Sequence, residues 1–221
     1  MRLHIGATRL QLSNPYHSAL RTGDWVHLGE PESIEQQDSA KSSSDGLSGY
    51  VSFFFTEGDS LPYRDNYFSF AFSEHFFEHL FLNEAVSLFR ECYRVLRPEA
   101  CFRIVVPDAD LRSYMDPEPV GFTTGDSRWF HPDKHKSRWS VYSLPCLLEL
   151  VGFRTRGVVY CDRFGKHIIR TPDPDDAFYA ACPDRDLVLD TEYIGRFQDS
   201  LIVDAIKPRD TADEAAVPFM P

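Results

Sequence analysis

LPYRDNYFSFAFSEHFFEHLFLNEAVSLFRECYRVLRPEACFRIVVPD, residues 61–108, decides the fold. Asp65-Asn66 is turn chemistry, and Tyr67 to Phe72 behind it reads as a strand. Asn83 stands in a capping position. Ala85, Leu88, Phe89, Cys92, Val95 and Leu96 then recur every three or four residues, which predicts a helix with one apolar face. Glu84, Ser87, Arg90, Glu91 and Arg94 fall on the opposite face, and Pro98 ends the helix. Cys101 to Val106 is apolar throughout except for Arg103, as expected of a parallel strand covered on both sides.

Outward from this unit the same alternation continues. Upstream, Arg2–Ile5 runs into Gly6, Trp25–Leu28 forms a second apolar run, and Tyr50–Phe55 a third. Residues 30–49, rich in Ser, Gln and acidic side chains, predict a flexible loop. Downstream, 107–141 is irregular and mixes aromatic, acidic and His residues. Ser143 then caps a helix with Leu144, Leu147, Leu148 and Val151 on one face and Gly152 at its end. Thr155–Cys161 and Ser200–Ile206 are late strands. The predicted fold is a single α/β domain over 1–208, a mostly parallel sheet with helices on both faces, followed by a fraying, polar tail over 209–221.

Composition narrows the function. The 221 residues are 43% hydrophobic, enough for a sizeable core, and the 18 Phe and 10 Tyr either fill that core or line a pocket. The net charge of −11 repels phosphate backbones and argues against nucleic acid as a partner. No apolar run is long enough for a membrane span and no signal core opens the chain, so the expected compartment is cytoplasmic, with no membrane partner. The five cysteines (Cys92, Cys101, Cys146, Cys161, Cys182) are scattered; the first three lie in apolar patterns and are expected to be buried free thiols. The sequence carries no signal of oligomeric state.

Several segments, in order, resemble the class I S-adenosylmethionine-dependent methyltransferases. LPYRDNYFSFAFSEHFFEHL (61–80) is similar to that family's Leu-Pro-Phe, Asp-Asn-Ser-Phe-Asp, strand and His-Val-Leu-Glu-His-Leu succession. LFRECYRVLRPEACFRIVVPD (88–108) is similar to its helix, Leu-Lys-Pro-Gly-Gly turn and fifth strand. HKSRWSVYSLPCLLELVGF (135–153) resembles the helix ending in Gly-Phe before the sixth strand, and DSLIVDAIKP (199–208) the last strand. LHIG (3–6) looks like the first strand of the small predicted-methyltransferase branch. The resemblance implies a Rossmann-like, seven-stranded sheet with the last strand antiparallel, and S-adenosylmethionine as cofactor.

It also implies a site. The cofactor needs close backbone approach, an acid for the ribose hydroxyls and a polar group for the adenine, all at the carboxyl ends of the strands. Gly6 is the first glycine of the cofactor loop, followed by Ala7. Thr8 stands where the family has its next glycine. Gly29 falls where the ribose acid is expected, and Glu30, one place on, is the substitute; a solvated loop acid is the alternative. Glu57 and Asp59 are the adenine candidates. Ser73, Glu74 and His75 lie where the family lines the methionine end, unless they only build a turn. Methyl transfer is an in-line displacement to which positioning contributes much and a general base can add. Asp108, His131 and His135 are the candidate bases, with surface or packing roles as the alternative for each His. The acceptor implied is a small molecule or glycan. Tyr114, Phe122, Trp129, Phe130 and Trp139 are either an aromatic lid over it or core.

Two rival readings stand beside this one. His75-Phe76-Phe77-Glu78-His79 matches the His-x-x-Glu-His zinc-peptidase signature, in which two imidazoles one helical turn apart face a metal. The methyltransferase pattern contains the same letters and the sequence shows no third ligand, so no metal is expected. The other rival is a methyltransferase-like fold that no longer transfers methyl groups and serves as a binding protein or does other chemistry in the old pocket.

Overall fold

A computed structural model describes residues 1–8, 19–20, 23–29, 50–111, 135–190, 194 and 200–209. The expected loop over 30–49 and all but the first residue of the expected tail lie outside the described residues.

The strands are β1 (Arg2–Ile5), β2 (Trp25–Gly29), β3 (Tyr50–Ser52), β4 (Phe68–Glu74), β5 (Leu96–Pro107), β6 (Arg154–Cys161), β7 (His167–Ile169) and β8 (Ser200–Ile206). They form one 8-stranded sheet in the order β3-β2-β1-β4-β5-β8-β6-β7. The pairs from β3 to β5 are parallel, and β8 runs antiparallel to both β5 and β6. The Rossmann-like expectation with an antiparallel last strand therefore holds, with eight strands among the described residues where seven were expected. The addition is β7, which folds back on β6 through a turn in which the Asp162 amide donates to the Lys166 carbonyl at 2.9 Å.

Helix α1 (Leu82–Val95) buries Ala85, Leu88, Phe89, Cys92 and Val95, as its periodicity predicts. Asn83 is not its cap. The helix begins a residue earlier, and the Glu84 carboxylate accepts from the Phe81 amide at 2.9 Å, while the Asn83 amide donates to Glu57 at 2.7 Å. Its far end is closed by the Lys207 ammonium, which donates to the Tyr93 and Leu96 carbonyls at 2.9 Å each. Helix α2 (Ser143–Val151) ends at Gly152, whose φ of +121° is the conformation that glycine tolerates.

Both helices pack on one face of the sheet with Leu3, Ile5, Phe102, Ile104 and Val203. The other face carries Phe70, Phe72, Cys101, Val105 and Ile202. Among the described residues, turns over 173–184 and the four-residue α3 (Arg185–Val188) cover it. Helices thus lie on both faces, but unequally. Arg103, the one charge in the Cys101–Pro107 stretch of β5, points to this second face. It donates twice to Asp204 of β8 at 2.8 Å and once to the Val188 carbonyl at 2.8 Å, and the Tyr179 hydroxyl donates to the same carboxylate at 3.0 Å. That network fastens the turn-rich cover to the sheet.

Cys92 and Cys101 are buried free thiols as expected, and Cys161 and Cys182 are buried too, but Cys146, taken from its apolar neighbours to be buried, is exposed on α2. Trp139 is core: it is 1% exposed and its ring lies edge-on to Phe89 at 6.0 Å. Tyr114, Phe122, Trp129 and Phe130 lie outside the described residues.

Candidate active site

The strand order turns around between β1 and β4, because the chain runs from β1 outward to β3 and then returns to β4. In an open α/β sheet the loops leaving such a pair diverge and leave a crevice at the carboxyl ends. Gly6 and Ser73-Glu74-His75 stand at those ends.

Gly6 has a φ of +77°, and a Cβ there would lie 2.4 Å from the Cβ of Phe76. Glycine is demanded by the bend and by Phe76 together. Ala7 is buried, and its amide donates to the Leu28 carbonyl at 2.8 Å. Thr8 is half-buried beside it. Gly29 is equally constrained: a Cβ would meet the Ala7 carbonyl oxygen and the Tyr50 hydroxyl, each at 2.1 Å. No side chain, acidic or other, fits at position 29, where the resemblance implies the ribose acid. Glu30 and His131 lie outside the described residues.

The adenine candidates are engaged locally. Asp59 accepts from the Thr56 amide at 2.7 Å and the Thr56 hydroxyl at 2.8 Å, which hold its carboxyl below the usual range. Glu57 accepts from Asn83 and shares an open depression with Leu82, Val86 and Arg90 of α1. This turn is secured from below by Arg94, which donates to the Leu61 and Tyr63 carbonyls at 2.9 and 2.8 Å.

At the end of β4, Ser73 is fully buried and its hydroxyl has no hydrogen-bond partner among the described residues. Glu74 is buried beside it. His75 has a φ of +49°, an uncommon conformation for a side chain other than glycine and one that concentrates at functional sites. Its Nδ1 lies 3.2 Å from Glu78 Oε1 and its Nε2 3.5 Å from the Ser200 hydroxyl. Burial pulls the His75 pKa down, but the hydrogen bond and charge of Glu78, with the charge of Glu74, more than offset this and leave it raised.

The peptidase-like geometry is absent. Residues Phe77–His79 form a single 3-10 turn, and His75 precedes it in a left-handed conformation, so the two imidazoles do not sit a helical turn apart. What the sequence does not show is that His135 closes on this turn: its ring centroid lies 5.1 Å from that of His79. Asp108 is engaged by the fold. It is 1% exposed and accepts from the Asp110 and Cys161 amides at 3.0 and 2.6 Å, so it ties the end of β5 to β6. Burial raises its pKa against the pull of those two amides. Of the two candidate bases among the described residues, His135 lies beside the polar groups of Glu78 and His79.

An open sheet of this order, with the antiparallel strand inserted beside β5 and polar groups gathered where β1 and β4 part, defines the class I methyltransferase fold. Residues 30–104 match the family model described as a methyltransferase domain. The fold also matches solved structures. An S-adenosylmethionine-dependent methyltransferase from Archaeoglobus fulgidus is 15% identical, with 93% of this chain and 85% of that one covered and a TM-score of 0.54. One from Mesorhizobium loti is 15% identical, with 93% and 90% covered and a TM-score of 0.52. The [4+2]-cyclase SpnF is 20% identical, with 94% and 75% covered and a TM-score of 0.51. No curated protein matches the chain at a significant level. The family match spans about a third of the chain, and the likeness to the solved structures, at 20% identity or less, shows the fold that this chain shares with S-adenosylmethionine-dependent methyltransferases.

Proposed function

We propose that the chain transfers the methyl group of S-adenosylmethionine to a small-molecule or glycan-type acceptor by in-line displacement. The observation that carries this reading is the buried, unpartnered Ser73 hydroxyl at the end of β4, next to the loop that Gly6 bends. A buried hydroxyl without a partner costs about 1–3 kcal/mol, and a polar ligand at the methionine end would satisfy it. Gly6, Ala7 and Thr8 offer backbone to the cofactor; Ser73, Glu74 and His75 serve its amino acid end, and Glu57 its adenine. When bound, the cofactor supplies the activated methyl group. The chain's task is then to hold the acceptor in line and to exclude water. Net acidity and the lack, among described residues, of a helix able to cross a membrane favour a small acceptor in the cytoplasm over nucleic acid or lipid.

A specific observation favours a second reading. The ribose position is closed by Tyr50 and Ala7 over Gly29, so the usual acid has no equivalent there. A protein described as a [4+2]-cyclase shares the fold, so the fold alone does not require methyl transfer. In this reading the crevice binds another ligand or a partner.

Calorimetric titration with S-adenosylhomocysteine separates the two. Micromolar binding, weakened by Glu57→Ala, supports methyl transfer. Absence of binding up to millimolar concentration, with the protein shown to be folded, rejects it in favour of the second reading.

A further inference from the structure

Glu78, His79 and His135 are brought together by backbone contacts that leave them little freedom. The chain leaves β4 through the left-handed His75 and makes the 3-10 turn Phe77–His79, which turns Glu78 inward to 2% exposure. The segment from 135 to 139 is fastened onto that turn. The Lys136 and Ser137 amides both donate to the Glu78 carbonyl, at 2.7 and 3.0 Å, and the Ser137 hydroxyl donates to the Phe77 carbonyl at 3.0 Å. Two residues further, the Ala109 amide donates to the Trp139 carbonyl at 2.9 Å, so the segment is anchored to the end of β5 as well.

One ligand atom from each of Glu78, His79 and His135 lies within 4.8 Å of the other two. Two buried atoms in this cluster, Glu78 Oε2 and His79 Nδ1, find no hydrogen-bond partner among the described residues. Buried polar atoms left unsatisfied are uncommon and call for a partner. His75 Nδ1, 3.2 Å from Glu78 Oε1, already orients the carboxylate through its other oxygen, as an outer-shell group does at a metal site.

We propose that Glu78, His79 and His135 bind one divalent transition-metal ion, of which zinc is the representative. Two imidazoles and one carboxylate suit zinc, iron(II), cobalt or nickel, whereas calcium and magnesium favour oxygen donors throughout. Metal bonds of about 2.0–2.2 Å require the ligand atoms to draw somewhat closer than they stand, which rotation of the half-exposed His79 and His135 accomplishes. Three protein ligands leave at least one coordination position. Glu78 and His135 also line a small cleft with Pro107, Ala109, Ser137 and Arg138, where a water or an oxygen of a bound molecule completes the set. The proposal stands independently of methyl transfer.

The test uses the full chain in a Cys146→Ser background, which removes the exposed thiol, after treatment with a chelator. Cobalt binding is followed by visible absorption and zinc binding by calorimetry. One equivalent at micromolar affinity or tighter is expected, weakened about 100-fold or more by His135→Ala and by His79→Gln and left unchanged by His27→Ala on β2. Circular dichroism confirms that each variant is folded; Glu78→Gln is a further variant if it folds. No binding up to millimolar metal, or binding indifferent to both His135→Ala and His79→Gln, overturns the proposal. The S-adenosylhomocysteine titration is separate: metal binding without it rejects methyl transfer alone, and the reverse outcome rejects the metal site alone.

Discussion

The Tyr50 hydroxyl donates to the Ala7 carbonyl at 3.2 Å, across the face of Gly29. This one hydrogen bond joins the start of β3 to the loop after β1 and fills the place where a ribose-binding acid would project. Restoring the acid therefore does not restore a binding pocket. Gly29→Asp is expected to cost about 1–3 kcal/mol in urea unfolding, as overpacking does, without tightening S-adenosylhomocysteine. A variant that keeps its stability and gains affinity would contradict this geometry.

Gly6→Ala meets two obstacles, a φ of +77° and the Phe76 side chain 2.4 Å from the new Cβ. A loss of about 2 kcal/mol or more is expected in thermal or urea unfolding. Phe76→Ala in the same chain removes the collision but not the dihedral strain. The double variant should therefore be less destabilised than the sum of its two single variants. Simple additivity would show that Phe76 is not what the new methyl group meets.

Asp204→Asn leaves the fully buried Arg103 facing a neutral amide. Breaking one side of a buried pair costs about 3–5 kcal/mol, because the remaining charge is stranded. Since Arg103 also holds the Val188 carbonyl, amide exchange over 179–188 should accelerate in the same variant. Unchanged exchange there would separate the cover from the ion pair.

His27 lies buried with its Nδ1 3.2 Å from that of His4, and burial pushes its pKa down to about 4. Between about pH 4 and the ordinary histidine value near 6.5 the unfolded chain binds the extra proton, so stability rises with pH across that window and is lost as pH falls through it. The slope from one such group is at most about 1.4 kcal/mol per pH unit. His75 works in the opposite sense, with stability lost as pH rises through its raised pKa, and the carboxylates act at the acid end. The difference between the wild type and His27→Phe isolates the effect: its pH dependence in urea unfolding should be confined to that window, and a flat difference would refute it.

The sequence carried those parts of the fold in which one chain segment dictates its own geometry. Helix α1 was readable because apolar side chains recur on one face; the five within it are buried, and the sixth, Leu96, opens β5 instead. Strand β8 was readable from Ser200 to Ile206 because every residue of it is buried. Strand β5 was legible only from Cys101 onward, because its first part bulges. Phe68 pairs with Leu96 but Phe70 pairs with Cys101, and Glu99, where the family has glycine, takes a φ of +66°. Strand β7 is three residues long and gains its meaning only from β6 alongside it.

The site was legible in the same uneven way. Gly6 and Ser73-Glu74-His75 could be placed because they follow strands that could be read. Nothing local in His135 reveals its proximity to His79. That depends on two amides finding the Glu78 carbonyl, a tertiary event with no periodic signature. Asp108 was read as a candidate base because it follows a strand; its hydrogen bond from the Cys161 amide at 2.6 Å is a tertiary contact that the sequence does not show.

The position of β8 between β5 and β6 bears on how the protein is made. The last of the described strands in chain order fills the gap between two that were synthesised well before it. Until residues 200–206 leave the ribosome, β5 and β6 each present an open row of amides and carbonyls, and Arg103 waits without Asp204. Such long-range pairing is slow, and exposed strand edges recruit other chains. Nascent chains stalled before β8 should thus be the form of this protein most dependent on chaperones.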